Sequence, residues 1–575
     1  MKKSSTKRLL SYITVHNKLL IISLLTAIIN VFFTLLNPIL IGDAIDFIIG
    51  KDNVDFQGIL KIIGILILSI ILASLSQWIM TRCTNVITYK TVAALREDVF
   101  NKINKVPLKY IDSHSHGDIM SRIINDIDQI STGLLQGFSQ LFTGIITILG
   151  TLGIMIAINF KIALVVVLMT PLSILVGGFI AKSSKAMFTE QSKIRGEITG
   201  YTQEMIGNQK LVKAFSYENN SEEKFQEINS RLYTSGVKSQ FFSSLTNPCT
   251  RFVNGIVYAT VGIISAISAI NGNISIGKIS SFLNYANQYT KPFNEISSVI
   301  TELQSALASA ERVFEVLDEE NEPLDKENAI NLKECNGNIE IKDVSFSYNP
   351  DVKLIENFNL SVKKGEKIAI VGPTGCGKTT LINLLMRFYN INSGEIFISG
   401  YNINDITRKS SRAMFGMVLQ ETWLYSGTIK ENIAYGKPNA TDKEIIEAAK
   451  MAHAHEFITR LPNGYDTKIS GDGNNISQGQ KQLLCIARIM LTKPPMLILD
   501  EATSSIDTRT EIFIQNAFNK MMEGRTSFIV AHRLSTIKEA DLILVMNKGH
   551  IIEQGTHEEL IEKKDYGRYA LPNGD

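Results

Sequence analysis

The sequence predicts a membrane α-helical domain followed by an α/β domain built round a phosphate-binding loop. Three observations predict it. Roughly the first 300 residues hold long uncharged stretches. Gly372–Thr379 reads Gly-Pro-Thr-Gly-Cys-Gly-Lys-Thr and fits G-x-x-x-x-G-K-[ST]. Met496-Leu-Ile-Leu is an apolar run that ends in two carboxylates, Asp500 and Glu501.

Uncharged runs lie at Leu19–Gly42, Ile62–Thr81, Gln129–Phe160, Ile162–Ala181 and Phe252–Gly277. Each meets the requirement of about 20 residues to cross a bilayer core. A sixth run, Ile279 to Thr301, contains Lys291 and Glu295 and is polar at Asn284, Asn287 and Gln288. One charge at mid-bilayer costs about 2.5–3.5 kcal/mol, so this helix is expected to face protein or a watery cavity. The alternative is a cytoplasmic amphipathic helix. Six spans keep the phosphate loop on the same side as the N-terminus, and an odd number would not.

Arg82–Asp128 and Lys182–Arg251 are long loops rich in Lys and Arg, as the N-terminus is at Lys2, Lys3, Lys7 and Arg8. The positive-inside rule places all three in the cytoplasm. The two loops are good helix formers, so the spans are expected to extend into the cytoplasm and end in turns able to touch another domain. Pro107–Asp118 and Gly207–Ser216 are the candidate contact segments. His114 and His116 lie in the first and read as solvent-facing rather than as metal ligands. The basic start resembles a signal peptide, but the apolar run after it is too long for one, and a retained anchor is expected.

At 575 residues two or more domains are expected. A net charge of +2 gives no argument for nucleic acid. The five cysteines, Cys83, Cys249, Cys335, Cys376 and Cys485, have no metal-ligand spacing, so neither disulfides nor zinc are expected. Pattern and charge divide the chain into a transmembrane domain over 1–318, a charged and solvated linker over 319–337, and a nucleotide domain over 338–575.

Around the phosphate loop, Lys367–Val371 reads as a strand and Thr380–Phe388 as a helix. Gly375 and Gly377 let the backbone close round an anion at a helix N-terminus. Lys378 supplies a charge for the terminal phosphates, and the Thr379 hydroxyl a ligand for Mg²⁺. Ile339–Tyr348 alternates like a strand, and Tyr348 either stacks on a base or packs in the core. Asp500 is placed to bind Mg²⁺ or its water, and Glu501 to polarise an attacking water. Between these runs lie Gln420, at the end of Met417-Val-Leu-Gln, and Ile476-Ser-Gln-Gly-Gln480; Asp507 and His532 follow.

Taken together, these residues resemble the nucleotide-binding domain of ABC transporters, and the six spans resemble the membrane domain of ABC exporters. The resemblance implies that ATP is bound with Tyr348 on the adenine. Gly372, Pro373, Thr374, Gly375, Cys376, Gly377, Lys378, Thr379 and Thr380 would then wrap the phosphates. It implies Mg²⁺ at Thr379, Gln420 and Asp500, Glu501 as catalytic base, and His532 as the switch residue on the γ-phosphate. Asp507 would pass signals across a dimer. Ser477, Gly479 and Gln480 of the signature would act on the nucleotide held by the opposite subunit, which implies a half-transporter working as a dimer in the lipid bilayer.

Ile476 and Gln478 depart from the usual Leu-Ser-Gly-Gly-Gln, and Gly471 stands where many exporters carry a glutamate. Such changes occur in one half of heterodimeric exporters, so a heterodimer is expected ahead of a homodimer. The implied activity is ATP-driven export of an amphipathic or lipophilic substrate (drug, lipid or hydrophobic peptide) across a bacterial plasma membrane. An ATP-gated channel or regulator, and an importer on the same scaffold, remain alternatives. Leader-cleaving peptide export is not expected, because no peptidase domain precedes the first span. The aromatic and amide side chains Phe32, Phe33, Trp78, Gln77, Gln136, Gln140, Tyr258, Tyr285 and Tyr289 either meet that substrate or pack between helices.

Overall fold

The computed structural model describes residues 5–48, 54–419, 422–469, 475–500, 507–531 and 534–562. It forms two compact units, Met1–Lys105 with His114–Glu319, and Val106–Ser113 with Glu320–Asp575.

The first unit is helical. Its long helices are Asn17–Asp46, Phe56–Ile103, His116–Ile158, Phe160–Gly207, Glu218–Ser244 followed by Thr246–Ile270, and Ile276–Asp318. Polar caps restart the chain where it turns. Asp55 accepts from Gly58 N–H at 2.9 Å, and Asn159 from Lys161 N–H at 3.0 Å. Among the described residues, four helices are long and apolar enough to cross a membrane, and Phe160–Pro171 is a shorter apolar stretch. In the Phe56–Ile103 helix only 6% of the apolar window is buried, and Leu60, Ile67, Leu68, Ile71 and Trp78 point outward. Such a surface requires a hydrocarbon solvent.

The Ile276–Asp318 helix carries the sixth run, and its Ser281, Phe282, Tyr285, Ala286, Tyr289 and Thr290 are buried. The Tyr285 hydroxyl donates to the Leu35 carbonyl, and Ser281 to the Pro38 carbonyl at 2.7 Å. These hydroxyls satisfy carbonyls where lipid offers no partner. Tyr285 and Tyr289 therefore pack between helices, whereas Phe32, Trp78 and Tyr258 are exposed. Lys291 is exposed; the side chain of Glu295 lies outside the described residues.

The uncharged run Phe252–Gly277 is divided by a short turn: its helix ends at Ile270, where Asn271-Gly-Asn turns with Gly272 at φ +74°. The basic N-terminus forms its own helix, Ser5–Thr14, with Leu9 and Ile13 buried in a cluster with Ile87, Val313 and Phe314. The two candidate contact segments contain six-residue helices, Leu108–Ser113 and Gln209–Ala214.

The second unit contains β1 Ile339–Phe346, β2 Ile355–Val362, β3 Lys367–Val371, β4 Ser393–Ile398, β5 Tyr401–Asn402 and β6 Phe415–Val418. The strands β7 Gly427–Thr428, β8 Lys468–Ile469, β9 Met496–Asp500, β10 Thr526–Val530, β11 Leu542–Asn547 and β12 His550–Gly555 follow. The main sheet runs β12-β11-β3-β10-β9-β6 and is parallel except for β12. An antiparallel sheet runs β2-β1-β4-β5, and β7 pairs with β8.

The central strands are apolar without interruption because both faces are buried. Ile368 and Ile370 of β3 and Met496 and Ile498 of β9 enter the core shared with β1, β2 and β4. Their neighbours Ala369, Val371, Leu497 and Leu499 enter the other, shared with the Gln478–Thr492 helix.

The linker expected to be solvated is strapped onto this unit. Glu322 pairs with Arg412 at 2.6 Å, Asp325 with Arg408 at 2.9 Å, and Lys326 with Asp405 at 2.6 Å. Arg408 and Arg387 are buried, so their charges need these carboxylates.

Candidate nucleotide site

Past Val371 the backbone leaves β3 and turns through Gly372–Gly377 into the Lys378–Leu385 helix. Gly377 caps that helix at φ +107°, which only glycine adopts cheaply. The Lys378 ammonium curls back over the loop and donates to the carbonyls of Gly372 at 2.7 Å and Pro373 at 3.1 Å. Thr379 is exposed in the first turn; Cys376 and Thr380 are buried. A loop of this shape, at the positive end of a helix with an ammonium beside it, fits a polyphosphate.

The loop is braced by residues that sequence reasoning missed. A Cβ on Gly372 would meet the Met546 carbonyl oxygen at 2.2 Å, so β11 backs directly on the loop. Lys548 and Gly549, both at positive φ, form the β11–β12 turn, and Gly549 N–H donates to the Cys376 carbonyl at 2.9 Å. Asn547-Lys-Gly-His between two apolar runs was the available turn signal. Nothing local in it points to the phosphate loop.

Asp500 ends β9, level with Val530 of β10, which in turn pairs with Ile370 of β3. Asp500 and the phosphate loop thus share the carboxyl edge of the parallel sheet, where open α/β sheets bind ligands. Gln420, Glu501 and His532 lie outside the described residues, as do Gly471 and Asp472. The strands that precede the first three, β6, β9 and β10, all belong to this sheet.

Tyr348 is 39% exposed. Its ring stands edge-on to Phe346 and to Tyr389, each at 4.9 Å, and its hydroxyl accepts from Asn383 Nδ2 at 3.1 Å. The edges of the ring pack and part of it stays open.

The signature begins the Gln478–Thr492 helix. Ser477 caps it, its hydroxyl accepting from Gln480 N–H at 3.3 Å while Gln480 Oε1 accepts from Ser477 N–H at 2.9 Å. Ile476 and Gly479 are buried, and Ser477 and Gln478 are exposed. Gln478 Nε2 donates to the Thr422 hydroxyl at 3.1 Å. Asp507 caps the Thr508–Met522 helix by accepting from Thr510 N–H at 2.9 Å. That backbone hydrogen bond holds its carboxyl below the usual range.

One unit with exposed apolar helices and one α/β unit with a phosphate loop, in the same chain, fit an ATP-dependent membrane protein. Residues 20–293 match the family model for the ABC transporter transmembrane region, and residues 355–504 the ABC transporter family model. A fatty acid ABC transporter ATP-binding/permease protein of Mycobacterium bovis is 43% identical over 90% of this chain and 82% of its own length. An uncharacterized ABC transporter ATP-binding protein of Bacillus subtilis, YfiC, is 41% identical over 98% of this chain and 93% of its own. Among solved structures, a bacterial Atm1-family ABC exporter with ATP bound superposes with a TM-score of 0.77. It is 27% identical and covers 98% of this chain and 100% of the other. The chain belongs to the ABC transporter family and has the exporter architecture, with a membrane domain followed by an ATPase domain that is cytoplasmic in this family. It couples ATP hydrolysis to transport.

Proposed function

We propose that this chain is one half of a dimeric exporter that moves an amphipathic or lipophilic molecule, with an acyl-chain lipid as the first candidate. The observation that carries the dimer is that the phosphate loop opens the Lys378–Leu385 helix while the exposed Ser477 opens a different one, Gln478–Thr492. A second subunit's signature completes each ATP site. Exposed Phe32 and Tyr258, and the fatty-acid relative, support the substrate class.

In each site Tyr348 carries the adenine and Lys378 the terminal phosphates. Thr379, which is exposed, and Asp500 at the sheet edge would hold Mg²⁺, with Gln420, assigned from the sequence, as a third ligand. When bound, Mg²⁺ neutralises charge on the β- and γ-phosphates. Glu501 draws a proton from the attacking water, and His532 holds the γ-phosphate. Two ATP molecules favour the closed dimer because they bind it better than the open one. The segments around Ser113 and Lys213 carry closure to the long helices, and Asp507 relays between subunits.

Gln478 places a side chain where other exporters have glycine, and Gly471 replaces a glutamate. A heterodimer follows, in which this subunit supplies the complete phosphate loop to the active site and a weaker signature to the other.

The test is ATPase activity and oleate transport in proteoliposomes, for this subunit alone and then with the product of a neighbouring half-transporter gene. Activity only with the partner supports the heterodimer, and full activity alone overturns it. ATPase activity without movement of oleate or of a cationic dye would overturn the substrate class.

A further inference from the structure

The mechanism above leaves the buried Tyr389 unused. Tyr389 follows the phosphate-loop helix, is 9% exposed, and closes a three-ring cluster with Phe346 at 5.8 Å and Tyr348 at 4.9 Å. Its hydroxyl donates to the Asp112 carboxylate. Burial first, and then that hydrogen bond, push the Tyr389 pKa above the usual phenol range, so the proton stays on the donor. Asp112 belongs to the Leu108–Ser113 helix, whose Leu108 packs on the same core and whose Tyr110 is buried. That segment, Val106–Ser113, lies in the second unit although its chain neighbours on both sides lie in the first.

We propose that Tyr389 is a positioning residue that reads whether Tyr348 carries a base and passes this to the Leu108–Ser113 helix through Asp112. The proposal rests on the reading of Tyr348 as the adenine platform. Tyr348 is fixed at three points: the Phe346 edge, the Tyr389 edge, and Asn383 of the phosphate-loop helix on its hydroxyl. A base stacked on the open part of the ring restricts its tilt, and close packing carries that restriction to the ring it touches edge-on. Tyr389 can pass it on through its hydroxyl to Asp112, a charge-assisted bond that holds direction as well as distance. Occupation by a base is thereby signalled separately from occupation by phosphates, which reach the helix at Lys378.

Amide hydrogen exchange of the full chain in nanodiscs, with its partner subunit where one is required, tests this. The probes are AMP-PNP, which has a base, and tripolyphosphate, which has none. Saturating AMP-PNP is expected to slow exchange over 106–113 by about tenfold, and tripolyphosphate by less than about twofold. Tyr389→Phe keeps the ring and removes the donor; it should cut the AMP-PNP effect below about twofold, and Asp112→Asn should reduce it in the same direction. Full protection in Tyr389→Phe, or equal protection by tripolyphosphate, overturns the relay. Tyr348→Ala separates the two readings, because loss of a base stack weakens AMP-PNP binding about tenfold. Unchanged binding in that variant overturns the platform and the relay together. Weakened binding with an intact response in Tyr389→Phe overturns the relay alone.

Discussion

The phosphate loop and the signature, two surfaces of one ATPase domain, are built in opposite ways. The loop is held from behind: Met546 and Gly549 press on its backbone, and Lys378 closes over it. The signature is held from within its own first turn, by the Ser477–Gln480 capping box, and Ser477 and Gln478 are exposed. A preorganised cradle for charge tolerates little change, whereas a surface completed by a second subunit depends on local helix geometry and adapts at the contact. Substitutions at the loop should therefore abolish function through chemistry or misfit, and those at the signature should act mildly on the isolated chain.

The largest effect is expected at Lys378. Lys378→Ala removes the charge for the terminal phosphates and should lower ATP turnover by about 100-fold or more, with the heat-unfolding temperature nearly unchanged. Turnover within a few-fold of the parent would show that the loop does not use it. Gly549→Ala comes next. The residue sits at φ +82° and an added Cβ would lie 1.2 Å from the Leu354 carbonyl oxygen. Left-handed strain alone costs about 1–2 kcal/mol. The turn must also shift off Cys376, so weaker nucleotide binding in a fluorescent-ATP titration is expected alongside lost stability. Normal binding would mean the loop keeps its shape without this brace.

On the other surface, Ser477→Ala should cost the signature helix about 1 kcal/mol through its cap, and Ser477→Thr should recover most of it. Chemical denaturation of the purified chain reads this directly. If Ser477→Ala also abolishes turnover while nucleotide binding by the same chain is intact, the hydroxyl acts on the partner's nucleotide.

The smallest effect concerns Tyr465, which packs against the core beneath the signature helix and lies 2.9 Å from His455 Nδ1. Burial pushes its hydroxyl from 10.0 up to about 12. A raised pKa stabilises the protonated fold, so this contribution is complete below about pH 10 and fades as pH rises toward 12. Tyr465→Phe should flatten the fall of unfolding temperature over that window, and identical profiles would remove the effect. The phosphate-loop side has its own titrating neighbour in Tyr389, so only the difference between the variant and its parent reports on the signature side.

Much of this organisation was legible in the sequence because its chemistry is written in consecutive residues. A loop that binds phosphate must be contiguous, as Gly372–Thr379 is; a cap must precede its helix, as Ser477 does; a span must be a run of apolar residues. The catalytic assignments to Gln420, Glu501 and His532 rest on that reading and on kinship. The tertiary structure decided what lies far apart in the chain. It set Gly549 behind Cys376 and tied Tyr389 to Asp112. It paired Glu322 and Asp325 of the exposed linker with Arg412 and Arg408, and buried Tyr285 while leaving Trp78 exposed. Such contacts depend on strand order, register and helix facing. No local spacing encodes these, because each side chain is fixed by a neighbour that the chain reaches only after folding.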